Sequence, residues 1–412
     1  MIIRAKFLIP STDRFIENGA VVIHDGVIAA VGEYHSVSRT AVGPARDLGE
    51  AVIMPGLINA HAHIELSGLR GAAPFKGSFA DWLMRVRAAR NAHTVADLRD
   101  WSRDGVAESI ASGTTTVGDY TQTRAALDPV RTSGMRAVVF LETVGFPPRF
   151  AFRRAFKVSW VLWWAKPSEL VRMAVAPHAP YSVSTDLYQR LSRIAQRNHL
   201  LFSTHINESR EEIEFYEHGT GVFREKLMEI GLWKDGWKLP GACPVRHLDG
   251  LGLIDADSVL IHCNYLSEGD CQIIASRRAG VVYCPRSHAF FGHVDHPFEK
   301  LLGMGVPVGL GTDSLASNDT LSVLDEMRFV AAHNPKTPPQ TLVRMATEFG
   351  AKVLHLDSLT GRLAPGLQAD LSAFALPAFT KDPFQALMDK STKPIYTMVA
   401  GQALYDFSSP AW

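Results

Sequence analysis

Two histidines one residue apart, His61 and His63, follow the run Val52-Ile53-Met54-Pro55-Gly56-Leu57-Ile58. On an extended strand, residues i and i+2 point to the same face, so both imidazoles can grip one cation from neighbouring rungs. Zinc accepts imidazole nitrogen readily, and iron or nickel can also take it. Further polar residues end strand-like runs downstream: His205 after Leu201-Phe202, His262 after Ser258-Val259-Leu260-Ile261, and Asp313 within Gly311-Thr312-Asp313-Ser314. Three imidazoles and a carboxylate, from His61, His63, His205 and Asp313, make a site for a divalent metal with a bound water. Each residue alone has a plainer reading, as a satisfied core histidine or a turn aspartate. Several unpaired polar groups at one barrel rim would be costly, which favours a shared function.

The elements that must position these residues are legible as a strand–helix alternation over residues 55–365. Strand candidates after the His61 strand are Thr115–Asp119, Ala137–Leu141, Val171–Val175, Leu201–His205, Ser258–His262, Val281–Cys284 and Val308–Asp313. Alternation of this kind implies a parallel sheet, and eight units in about 250 residues or a little more fit an α/β fold of the (β/α)8 TIM-barrel type. The C-terminal strand ends of such a barrel carry its active site, which is where the polar residues fall. Residues 1–54 read instead as short strands, with Gly19–His24 and Val27–Gly32 joined by Asp25-Gly26, a strong hairpin signal. Residues 366–412 read similarly, with Asp370–Ala375 and Tyr396–Ala400 as strands. The two chain ends are expected to pair into a small β-sandwich.

Lys+Arg and Asp+Glu number 42 each, so net charge offers no attraction to nucleic acid or to an anionic membrane. The four cysteines show no CxxC pairing and read as reduced thiols. The N-terminus lacks a signal-peptide layout, and no apolar run reaches the roughly 20 residues of a membrane span. A cytoplasmic protein is expected, with no nucleic-acid or membrane partner.

The segments Met54–His63, Ala176-Pro177-His178-Ala179-Pro180-Tyr181-Ser182-Val183-Ser184, Thr204-His205-Ile206-Asn207-Glu208-Ser209, Ile261-His262-Cys263 and Gly311–Ser314 together resemble the amidohydrolase superfamily over nearly the whole chain. The order and spacing match. Members with two metals usually carry a carbamylated lysine on the fourth strand, and Val171–Val175 has none. The resemblance therefore implies one divalent metal, zinc first and iron as the alternative. The Pro-His-Ala-Pro-Tyr stretch and the His-x-x-Glu pair are similar to the branch that deaminates amino-substituted heterocycles and dechlorinates triazines. In that mechanism Asp313 takes the water's proton, His262 orients the attack, and Glu208 protonates a ring nitrogen and then the leaving amine. A homodimer is in keeping with the family.

Substrate signals are weaker. The Glu65-Leu66-Ser67 ending of the first strand, Ser78–Leu83 and Val282–His288 resemble the aminofutalosine deaminase-like group. The adenosylhomocysteine and methylthioadenosine deaminases usually place apolar residues at that strand ending, and the adenosylhomocysteine group has an acid after the Trp-Leu helix that grips the ribose, where this chain has Arg85-Val86-Arg87. The expected small-molecule substrate is an adenine-type nucleoside such as aminodeoxyfutalosine. Adenosylhomocysteine or methylthioadenosine, guanine, cytosine or a triazine are the alternatives, and a non-catalytic binding protein on the same scaffold is the reading from another class. Candidate substrate contacts are His178 by its family motif, Glu65 if strand alternation persists, Trp82 by stacking, and Arg286 and His288 toward a carboxylate. The basic, aromatic segment 149–164 reads as the barrel's third helix with its aromatic face on the core. A dimer contact, a lid or a membrane-surface helix also fits its composition.

Overall fold

A computed structural model describes residues 1–40, 45–165, 167–233 and 239–408. The N-terminal strands are β1 (Ile2–Ser11), β2 (Arg14–His24), β3 (Val27–Glu33), β4 (Ala45–Asp47) and β5 (Ala51–Pro55). Then come β6 (Leu57–Ala62), β7 (Thr114–Thr121), β8 (Arg136–Thr143), β9 (Val171–Pro177), β10 (Phe202–Ile206), β11 (Ser258–His262), β12 (Gly280–Tyr283) and β13 (Val308–Leu310). The last three are β14 (Leu371–Ala375), β15 (Lys393–Val399) and β16 (Gln402–Asp406).

The chain ends form one eight-stranded sheet in the order β16-β15-β14-β5-β1-β2-β3, with β4 beside β1. The β2–β3 hairpin turns at Asp25 and Gly26, both at positive φ (48° and 78°). That geometry is the two-residue turn an Asp-Gly pair favours, because its twist matches the strands. Ala400 and Gly401 do the same between β15 and β16, at φ 46° and 78°.

Strands β6 to β13 form the second sheet, each hydrogen-bonded in parallel to its neighbour in sequence. Every residue of β7 and β8 is buried, as a parallel sheet covered on both faces requires. The sheet closes into a barrel where Ala62 bridges Asp313 and the Thr312 amide donates to the His61 carbonyl at 3.0 Å. The Asn59 side chain seals the same seam, donating to Thr312 Oγ1 at 2.8 Å and accepting from the Thr312 amide at 3.1 Å. Closure thus brings the first and last strands, nearly the whole barrel apart in sequence, to one edge.

A buried ion pair ties the barrel to the terminal sheet. Arg136 at the start of β8 donates to Asp370 through Nε at 2.6 Å and Nη2 at 3.0 Å, and Asp370 also accepts from the Ala400 amide at 2.8 Å. The four cysteines are buried and free.

The third barrel helix, Ala151–Trp164, departs from expectation. It packs on the barrel through the small residues Ala151, Ala155, Val158 and Val161, while Phe152, Phe156, Trp160, Trp163 and Trp164 lie exposed. The sequence carries two apolar stripes, and the small one allows the closer approach to the barrel.

Candidate metal centre and active-site cavity

The alternation of β6 puts His61 and His63 on one face, and the barrel brings them to His205 at the end of β10 and His262 at the end of β11. Ring centroids of His61 lie 4.9 Å from His63, 4.9 Å from His205 and 5.6 Å from His262. Asp313 Oδ1 is 3.5 Å from His61 Nε2 and 3.8 Å from His63 Nε2. His262 and Asp313 both sit at positive φ (70° and 58°), a conformation costing on the order of 1 kcal/mol for a residue with a side chain. The turns they make aim both side chains into the barrel mouth. Glycine at 311 is required by the same crowding, since a Cβ there would stand 2.9 Å from the His61 carbonyl oxygen and Cβ.

The protons on the imidazoles decide what the donor set can hold. His63 Nδ1 lies 3.1 Å from the Tyr120 carbonyl, and His205 Nδ1 lies 3.0 Å from the His178 carbonyl. A carbonyl only accepts, so both Nδ1 atoms carry hydrogen and both Nε2 atoms present lone pairs. Those two Nε2 atoms face each other at 3.3 Å. Burial pushes both imidazoles below their ordinary pKa, and it pushes His61 to about 3, so no spare proton bridges them near pH 7. Both ring nitrogens of His61, and Nε2 of His262, are buried without a hydrogen-bond partner. Burial works against the Asp313 charge, but the imidazoles of His61, His262 and His63 outweigh it and hold the carboxyl well below the usual range. Lone pairs converging on an ionised carboxylate fit a divalent cation and little else.

Glu208 stands beside this cluster, its Oε1 3.3 Å from His262 Nε2. Ser209 caps the following helix, Arg210–His218, and the Glu208 amide donates to Glu212 at 2.8 Å, which fixes the backbone there. Burial first, then the charges of Asp313 and Glu212, push the Glu208 carboxyl well above its ordinary pKa. Burial thus favours the protonated form of the carboxyl beside the cluster. Both open into a cavity of about 630 Å³ lined also by His178 and Glu65.

Residues 52–404 match the amidohydrolase family. The chain belongs to that family. It is 34% identical over 376 residues to the 5-methylthioadenosine/S-adenosylhomocysteine deaminase of Syntrophobacter fumaroxidans, covering 88% of this chain and 81% of that one. The enzyme of the same name from Nitratidesulfovibrio vulgaris is 31% identical, with 98% and 91% covered. Among solved structures, Helicobacter pylori aminofutalosine deaminase in complex with methylthio-coformycin superimposes with a TM-score of 0.86 at 25% identity, over 98% of this chain and 99% of that one. A zinc-bound adenosine deaminase from Xanthomonas campestris gives 0.83 at 26% identity, over 98% and 92%.

The remaining sequence candidates of this amidohydrolase divide. His178 lines the cavity, its Nδ1 2.6 Å from Ser182 Oγ. Glu65 also reaches the cavity wall, but the strand ends at Ala62 and a 3-10 helix follows, so alternation does not carry to it. Its oxygens accept from Thr121 Oγ1 at 2.6 Å, Thr123 Oγ1 at 2.5 Å and the Gln122 amide at 3.0 Å, tying the loop after β7. Trp82 also lines the cavity. It stacks in a cluster with Phe79 and Phe291, and its indole N–H donates to the Ala73 carbonyl at 2.9 Å. Arg286 and His288 lie away from the cavity. Arg286 is tied to Asn318 Oδ1 at 3.0 Å and to Asp319, and His288 is buried against the rings of His293 and His296. Both follow Cys284 on a helix that begins at Pro285, where strand alternation no longer sets direction, and it is Ser287 between them that reaches Asp313.

Sequence reasoning missed several supports. Tyr120 packs edge-on against His61 with centroids 4.3 Å apart. Ser287 and Ser317 each donate to Asp313 Oδ2 at 2.7 Å and so set the carboxylate's rotation. Glu142 at the end of β8 lies 3.6 Å from His205 Nδ1 and lines the cavity. The outer wall carries Arg87, Arg124, Arg154 and Lys157, none within 4 Å of a carboxylate among the described residues. Partial burial and the nearby Arg124, Arg154 and Arg153 push the Lys157 ammonium below its ordinary pKa. These cations come from three separate segments, so no local motif announces them.

Proposed function

We propose that this chain is a hydrolytic deaminase of an adenine-type nucleoside, holding one divalent metal, zinc first, through His61, His63, His205 and Asp313. The observation that carries the reading is geometric: Glu208 Oε1 lies 3.3 Å from His262 Nε2, beside Asp313 and the converging imidazoles in one barrel mouth. A bound cation would supply Lewis acidity and acidify a water to near neutral pH. In the first step Glu208 gives its proton to a ring nitrogen, which makes the amino-bearing carbon electrophilic. Water adds to that carbon, oriented by His262, and Asp313 accepts the proton the water loses. Glu208, left as a carboxylate, then carries the new hydroxyl's proton to the amino group, ammonia leaves as the carbonyl forms, and the proton on Asp313 returns to Glu208. One water is consumed and one ammonia released.

The cationic outer wall favours a nucleoside with an anionic arm. Aminodeoxyfutalosine, which ends in a benzoate, fits it best, and arginine pairs with a carboxylate in bidentate fashion. S-adenosylhomocysteine, named for the relatives above, carries a carboxylate beside an ammonium and is the second reading. Methylthioadenosine has no charge to place there. The test is ammonia release from aminodeoxyfutalosine, adenosylhomocysteine, methylthioadenosine and adenosine, with guanine, cytosine and a triazine alongside. Carboxylate-bearing nucleosides should exceed methylthioadenosine in kcat/KM by about tenfold or more, a difference of about 1.4 kcal/mol. Equal turnover of methylthioadenosine would overturn the anionic-arm argument, and no ammonia from any of them would overturn the deaminase reading.

A further inference from the structure

The helix Ala151–Trp164 has a second apolar face that nothing in the chain covers. Phe152, Phe156, Trp160 and Trp163 fall at i, i+4, i+8 and i+11, one stripe on the side opposite the barrel, and are 70, 63, 52 and 77 % exposed. Beside the stripe lies Arg153, with Arg149 one turn earlier; Arg154 and Lys157 belong to the cavity side, and the helix contains no acidic residue. A cation from another segment extends the field: Arg124 stands over the Trp164 ring at 5.8 Å, while Arg190, over the Phe152 ring at 5.9 Å, is already paired with Asp186 at 3.0 Å. Near-zero net charge for the whole chain makes this local excess a placed feature.

From this geometry we infer that the helix docks on an anionic lipid surface. Tryptophan and phenylalanine flanked by arginine and lysine are the composition of helices that lie in a bilayer interface, where the rings enter the headgroup region and the cations meet lipid phosphates. No helix among the described residues is long and apolar enough to cross a membrane, so the helix lies on the bilayer and does not span it. Charge selects against a second copy of the chain as the occupant. A two-fold contact through the stripe would set Arg149 and Arg153 against their own copies with no carboxylate from the helix between them. The inner side of the same helix walls the cavity through Arg154, Lys157, Val158 and Val161. Docking therefore sets the cavity mouth beside the lipid headgroups.

The experiment is sedimentation of the full chain with vesicles of phosphatidylcholine alone and with about a third phosphatidylglycerol, at about 0.1 M and 0.5 M salt. Binding is expected to the anionic vesicles only, to weaken at the higher salt, and to bring a blue shift of tryptophan emission. The triple variant Phe156→Ser/Trp160→Ser/Trp163→Ser should lose binding while retaining its thermal unfolding and its activity on soluble substrate. Arg153→Glu alone should weaken binding about fivefold or more. Absence of binding by the unaltered chain overturns the inference regardless of how the variants fold. Equal binding to neutral vesicles, binding unchanged in the triple variant, or a dimer in solution that the triple variant dissolves would each overturn it too.

Discussion

Replacing Glu208 by glutamine removes one proton and leaves nearly everything else in place. The side chain keeps its volume, and its backbone is held from both sides, by the amide's bond to Glu212 at 2.8 Å and by Asn264 Nδ2 donating to the Glu208 carbonyl at 2.9 Å. Glu208 lies outside the donor set of His61, His63, His205 and Asp313, so bound metal should be unchanged. What is lost is a neutral acid in contact with His262 at 3.3 Å, and the amide has no proton of comparable acidity to give. General acid–base groups typically contribute 10²–10⁴-fold, or about 3–5 kcal/mol of barrier, and kcat should fall by that factor. Because the acid form is the working form, the unaltered enzyme should slow on the alkaline side as Glu208 loses its proton, and the glutamine variant should lack that limb. The assay is ammonia release across pH, with metal content measured by elemental analysis on the same samples. A kcat within about threefold of the unaltered enzyme, at equal metal content, would refute the assignment of Glu208 as proton carrier.

Two predictions concern stability. Asp370→Ala strands the Arg136 guanidinium in the interior and should cost about 3–5 kcal/mol in urea unfolding, while the paired change Arg136→Met/Asp370→Leu should recover much of it; a single-variant loss under about 1 kcal/mol would show that the pair does not hold barrel to sheet. Burial pushes the Glu326 carboxyl up to about 8 from an ordinary 4.5, so the fold binds a proton there that the unfolded chain releases. Its contribution is complete below about pH 4.5 and is lost as pH rises through about 8. Glu326→Gln should therefore gain on the unaltered chain across that window, by on the order of 5 kcal/mol at most, and a stability gap constant with pH would sink the argument.

Much of the site was legible because strand geometry is local. The i, i+2 spacing of His61 and His63 fixes their shared face without reference to the rest of the chain. Placing His205, His262 and Asp313 at strand ends needed only the rule that parallel barrels gather function at their C-terminal rim. The same local logic failed one step beyond each strand. Glu65 was expected to continue an alternation that stops at Ala62, and Arg286 and His288 sit on a helix that sends Ser287 between them to Asp313 instead. The helix Ala151–Trp164 shows the deeper limit. Its apolar periodicity is real on two sides, and hydrophobicity alone favours burying the tryptophans.

The residue types and their spacing determined the fold class and which imidazoles and carboxyl groups meet at the barrel rim, because each rests on the short-range geometry of a strand and its end. Only the tertiary structure decided which proton each imidazole keeps, which cations share the cavity wall and which stripe of the third helix meets solvent. Those depend on the Tyr120 and His178 carbonyls, on segments far apart in the chain, and on how closely small side chains let a helix approach the barrel. None of these distances exists until the barrel closes at Asn59 and Thr312.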